Sequence, residues 1–105
     1  MFTIDDDPQF TCDAAVVLGP AEPRPLRTVF RALPDSEMQS LRDGSETDRE
    51  FLARVVVRFE DLVDDDGAPL TCDDALRERL LDRAWVRSAV MRAYFEQMVP
   101  RRSGN

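Results

Sequence analysis

Apolar and polar residues alternate from Phe10 to Leu18. Phe10, Cys12, Ala14, Val16 and Leu18 fall on one face, and Thr11 and Asp13 begin the other. A two-residue period is that of a half-buried strand. Gly19-Pro20-Ala21-Glu22-Pro23-Arg24-Pro25 interrupts it, because three prolines exclude both a helix and a central strand. Alternation resumes from Leu26 to Leu33, with Val29 and Phe30 at its centre. Two strands around a proline-rich loop predict an antiparallel hairpin, which buries too little to stand alone in water and must cover something.

The period then lengthens. Asp35 after Pro34 is a predicted N-cap for a short helix that carries Met38 and Leu41 inward and stops near Gly44, with Glu37 favourable in its first turn. Thr47 and Glu50 have capping-box spacing just ahead of an apolar run. In that run Phe51, Leu52, Val55, Val56, Phe59, Leu62 and Val63 recur at helical intervals, which predicts a central buried helix. The consecutive valines at 55–57 suit a strand, but the longer periodicity, the cap and the flanking charges favour helix. Thr71 is the next predicted N-cap, ahead of a short helix with Ala75, Leu76, Leu80 and Leu81. A final helix begins at Asp82, carries Trp85, Val86, Ala89, Val90, Ala93, Tyr94, Gln97 and Met98, and is halted by Pro100.

The expected fold is therefore α+β and mostly helical: an N-terminal antiparallel β-hairpin followed by a bundle of about four α-helices. A chain of 105 residues has the length of one domain. The predicted organisation is a solvated lead-in over 1–9, the hairpin over 10–33, the helical part over 35–99 and a frayed tail over 100–105.

Charge and chemistry narrow the function classes. Acidic residues number 21 against 14 basic ones, for a net charge of -7, and every base is an arginine. Such a surface repels nucleic acid, whose binding depends on clustered positive charge, and it repels anionic membranes equally. No apolar run approaches a membrane span, and the start lacks a signal-peptide pattern, so the chain is expected in the cytoplasm. With no histidine, the commonest general base and transition-metal ligand is missing. Cys12 and Cys72 are far apart and form no CxxC pair, so no zinc or redox motif is suggested. Asp5-Asp6-Asp7 reads as an exposed charge run. Aligning Gly67 with the glycine of a calcium-binding EF-hand loop puts Leu62 at the first ligand position. Leu62 cannot ligate, so Asp64-Asp65-Asp66-Gly67 reads as an acidic turn that stops a helix. No enzyme, cofactor or metal site is expected.

The stretch from Phe51 to Glu96 resembles the small tail assembly chaperones of long-tailed bacteriophages and prophages. One shared feature is Val57-Arg58-Phe59-Glu60-Asp61-Leu62, where many members carry Trp in place of Phe59. Another is the acidic Asp-Gly turn leading through Pro69-Leu70-Thr71 into Ala75-Leu76 and Leu80-Leu81-Asp82. The last is a closing helix with Trp85-Val86, Ala89-Val90 and Ala93-Tyr94-Phe95. The hairpin with Val29-Phe30-Arg31 also looks like these proteins, so the likeness covers about residues 10–98. Thr71-Cys72-Asp73 departs from the Ser-x-Glu pattern of the family but keeps a capping residue.

The resemblance implies binding without catalysis. Chaperones of this kind bind the long, aggregation-prone tape measure protein and help the tail tube protein polymerise around it. They work in the cytoplasm of the bacterial host and are absent from the mature virion. The expected partners are thus the tape measure protein and the tail tube protein, with no nucleic acid and no membrane; a homo-oligomer is compatible with this. The expected partner-binding residues are Phe59, Trp85, Tyr94 and Phe95, with Asp64, Asp65 and Asp66 at the rim. Aromatic residues of this kind serve as interface anchors, and each equally suits a core. The alternative is another small acidic interaction module, such as a DNA-mimic inhibitor.

Overall fold

The alternation near the N-terminus forms the expected hairpin in the computed structural model of the chain, which describes residues 1–99. Strand β1 (Gln9–Val16) pairs antiparallel with β2 (Arg24–Arg31), Phe10 opposite Phe30 and Ala14 opposite Leu26, in one unbroken register. Pro25 lies inside β2 but beyond Arg27–Phe30, the stretch that pairs with the next strand. Its missing N–H is therefore no loss to the ladder.

The chain is not mostly helical. After a 3-10 turn over Asp35–Met38 and one helical turn, α1 (Gln39–Arg42), helix α2 occupies only Asp48–Val55. At Val56 the backbone turns extended, with φ -85° and ψ 113°, and Val56–Glu60 becomes strand β3 on the free side of β2. The predicted central helix through Val63 is thus half helix and half strand, and the three-stranded sheet runs in the order β1-β2-β3. The helical spacing was produced by an irregularity. Phe30 pairs with Val56 and Val29 with Arg58, so Val57 is an extra residue in β3. A bulge of this kind breaks the two-residue period, and the buried positions become Val56 and Phe59, three apart as on a helix. β-branched Val56 and Val57 also favour an extended backbone.

The acidic turn is likewise a hairpin and not a helix stop. Asp61 takes a left-handed φ of 57°, and Leu62–Val63 (β4) then pairs antiparallel with Pro69–Leu70 (β5). Asp64 organises the turn. Its Oδ1 accepts from the N–H groups of Asp66 and Ala68, both at 2.9 Å, and Gly67 supplies the positive φ of 83°.

Two further helices complete the described residues. Helix α3 spans Asp74–Leu81, and its N-cap is Asp73, whose carboxylate accepts from Leu76 N at 2.8 Å; the expected cap, Thr71, stands two residues earlier. Helix α4 spans Ala84–Met98 with Arg83 at its N-cap. The expected stop at Pro100 and the frayed tail lie outside the described residues.

The core forms where α2 and α4 cover one face of the sheet. Phe10, Phe30, Phe51 and Tyr94 meet there, with the Tyr94 ring 5.1 Å from Phe30, 5.6 Å from Phe51 and 5.9 Å from Phe10. Tyr94 is fully buried, and its hydroxyl is satisfied: it donates to Arg31 O at 2.9 Å and accepts from Leu33 N at 3.1 Å. The opposite face of the sheet is polar. There Arg27 and Arg58 both hold Glu60, at 3.3 and 2.9 Å. Helix α3 and the segment before it close the outer edge of β3, where Arg77 donates to Val56 O at 3.1 Å and Cys72 Sγ accepts from Phe59 N at 3.4 Å.

Candidate functional site

The expected partner-binding residues divide between interior and surface. Phe59 is 1% exposed and Tyr94 0%, so neither offers a partner any area while the fold is intact. Phe95 is half-buried; it stacks on Phe51 at 6.0 Å and meets Tyr94 edge-on at 5.5 Å. Its role is to extend the aromatic core sideways. Asp64, Asp65 and Asp66 are exposed in the β4–β5 turn. Trp85 alone among the aromatic four stands at the surface, 40% exposed in the first turn of α4.

Trp85 does not stand there by itself. Helix α4 runs antiparallel to β1, with Tyr94 against Phe10 and Trp85 beside Val16 and Val17. Val17 and Leu18 continue past the end of β1 and are exposed, 44% and 58%. The indole is the wall between two shallow grooves. One, of about 170 Å³, is floored by Ala15, Val17 and Ala89 and edged by Ser88 and Arg92. The other, of about 260 Å³, is lined by Val16, Leu18 and Ala21 with Glu22 and Arg24 at its rim. The three acids of the β4–β5 turn line neither groove, so the structure joins Trp85 to the hairpin end and not to Asp64–Asp66.

No role is expected of Val17, Arg24 or Arg92 from the sequence, and Leu18, expected on the same face as Phe10, lies past the end of β1 and is exposed. A signal was present: Val16-Val17-Leu18 is a run of three apolar residues, and no strand can send all three to one face. Val17 breaks the alternation, and Leu18 keeps it but follows the last paired residue, Val16; the fold leaves both uncovered.

Three carboxylates are held in their charged form by hydrogen bonds. Hydrogen bonds from the Thr47 backbone and hydroxyl hold Glu50 below the usual carboxylate range, Arg58 does the same for Glu60, and Ser45 for Asp43. A general acid needs the opposite displacement. Burial, then the nearby charges of Asp13 and Glu96, push the Cys12 thiol up, away from the reactive thiolate. Among the described residues no group of three or more Cys, Asp or Glu side chains could hold a metal ion, and no helix is long and apolar enough to cross a membrane. What the arrangement offers chemically is apolar area beside one large aromatic ring, on an acidic molecule. Comparison with protein-family models, with curated proteins and with solved structures gave no match.

Proposed function

We propose that the chain is a tail assembly chaperone of a phage or prophage, which binds the tape measure protein, keeps it soluble and promotes assembly of the tail tube around it. It acts in the bacterial cytoplasm and is left out of the finished virion. The sequence likeness over residues 10–98 motivates this reading, and one structural observation carries it: Trp85, Val17 and Leu18 form an uncovered apolar patch on a protein of net charge -7. Burying apolar area supplies affinity, and a large aromatic in a shallow groove is the usual anchor of an interface. The surrounding negative charge keeps a complex with an aggregation-prone client in solution. A DNA mimic requires an unbroken negative face, and Arg27 and Arg58 interrupt the polar face of the sheet.

The test is co-expression with a tape measure protein from the genome that encodes the chain. The expected outcome is that a client insoluble alone is recovered as a soluble complex, and that Trp85→Ser abolishes recovery while the variant itself remains folded. A client that stays insoluble beside well-expressed wild-type chain would sink the proposal.

A further inference from the structure

The sheet has two edges, and the molecule treats them differently. The outer edge of β3 is occupied by Arg77 and Cys72. Among the described residues the outer edge of β1 has no strand beside it, and no side chain hydrogen-bonds to it. In an antiparallel pair every second residue directs its N–H and C=O away from its partner strand, so half of β1 presents a free ladder. Edges of this length are normally blunted by lysine, proline or a bulge. Here the register against β2 is unbroken over eight residues, and Asp13 is the single charge in Gln9–Val16.

Directly before β1 lies an arm, Met1–Pro8, whose large apolar side chains are uncovered: Phe2 is 90% exposed and Ile4 86%. Both are even-numbered, as are Phe10, Cys12, Ala14 and Val16, the β1 residues that face the helices. The arm bends at Asp6 and Asp7, where the Asp7 N–H donates to Asp5 Oδ1 at 3.0 Å; straightened into a continuation of β1 it directs Phe2 and Ile4 to the side of the sheet on which α4 and Trp85 lie. In its own molecule the arm sits at the far end of β1 from Trp85, beside Arg31 and Pro34. Eight residues of strand, about 26 Å, separate the two places.

We propose that two copies of this chain pair β1 against β1, antiparallel, and that each N-terminal arm covers the Trp85 groove of the other copy. Antiparallel pairing places the start of one β1 beside the end of the other. The arm therefore runs on past the partner copy's Val17 and Leu18, where its apolar side chains meet apolar grooves. Charge agrees with the placement. The arm carries Asp5 and Asp6 beside Asp7, which pairs with Arg31 of its own chain at 3.5 Å, and the grooves are rimmed by Arg24 and Arg92, with Glu22 as the one acid among their lining residues. Repulsion between two molecules of net charge -7 acts mainly through solvent, where the screening length is about 8 Å at physiological salt. The pairing stands independently of the function proposed above. Its corollary, that a client and a second copy compete for one groove, rests on that reading.

Sedimentation of the isolated full-length chain over a concentration series tests the pairing with no client present, so its outcome is separate from the co-expression result. A reversible dimer is expected, and Phe2→Ser with Ile4→Ser should weaken it about tenfold or more while leaving the circular dichroism unchanged, because both side chains are exposed in the monomer. Hydrogen exchange supplies the second readout: about half of the β1 amides should slow in the dimer relative to the dilute monomer. A chain that stays monomeric at millimolar concentration overturns the proposal. So does a dimer indifferent to the Phe2 and Ile4 substitutions, or one whose β1 amides exchange as in the monomer.

Discussion

Tyr94 and Trp85 lie on one helix, nine positions apart, and show how differently two aromatic residues are used. The Tyr94 hydroxyl bridges Arg31 O and Leu33 N where the chain leaves β2. Tyr94→Phe removes one oxygen and leaves two part-buried backbone groups without their partner. The expected loss is about 1–3 kcal/mol, read as a lower urea midpoint with an unchanged slope. Trp85→Ser should cost about 1–3 kcal/mol through lost apolar contact alone, since more than half of the ring is covered and, among the described residues, it makes no hydrogen bond. In the sequence both belong to one wide apolar stripe with Met91 and Phe95. Periodicity identifies such a stripe but not which part of it faces the sheet, because that is fixed by where β1 lies across the helix. Hence Phe59 and Tyr94, read as interface anchors, are core, and Leu18, read as sharing the face of Phe10, is exposed.

At the scale of elements, what was legible had local causes. The hairpin followed from alternation and prolines, and the N-terminus of α2 from its capping box, in which Thr47 accepts from Glu50 N at 3.1 Å and Glu50 accepts from Thr47 N at 3.0 Å. Thr47→Ala should lower the thermal midpoint by about 4–8 °C, the usual consequence of losing such a cap in a domain of this size; calorimetry checks it. What was not legible had long-range causes. Val56–Glu60 is a strand because β2 offers it a free edge, and the bulge at Val57 gave its buried residues the spacing of a helix. The β4–β5 hairpin escaped notice for a related reason: two residues per strand are too few to show a period. The turn chemistry of Asp64 and Gly67 was the available clue.

For the whole molecule, net charge and hydrogen-bonded carboxylates set the response to acid. Asp43, Glu50 and Glu60 titrate lower in the folded chain than in the unfolded one. The unfolded state therefore binds more protons in the acid range, and folding free energy rises with pH there. Their contribution is complete above the ordinary carboxylate range of about 4 and is lost as pH falls through the folded values. Urea titrations at pH 6 and pH 3 should show a lower midpoint at pH 3. All three groups are exposed, so the decline should be shallow and further flattened by salt. Acidity and the absence of histidine were legible from composition. The site was not, because it is assembled from the end of β1, the proline-rich loop and the first turn of α4, three segments that only the packing of α4 on the sheet brings together.

The claim that the Trp85 groove is where this chain meets its client has a direct spectroscopic test, because Trp85 is the only tryptophan. Its emission should be recorded while a tryptophan-free segment of the tape measure protein is added, at a chain concentration where sedimentation shows monomer. Binding is expected to shift the emission to shorter wavelength, saturating with complex formation, and the same titration of Val17→Ser with Leu18→Ser should weaken it about tenfold or more. A complex that forms with the Trp85 emission unchanged would contradict the assignment and place the client elsewhere on the molecule.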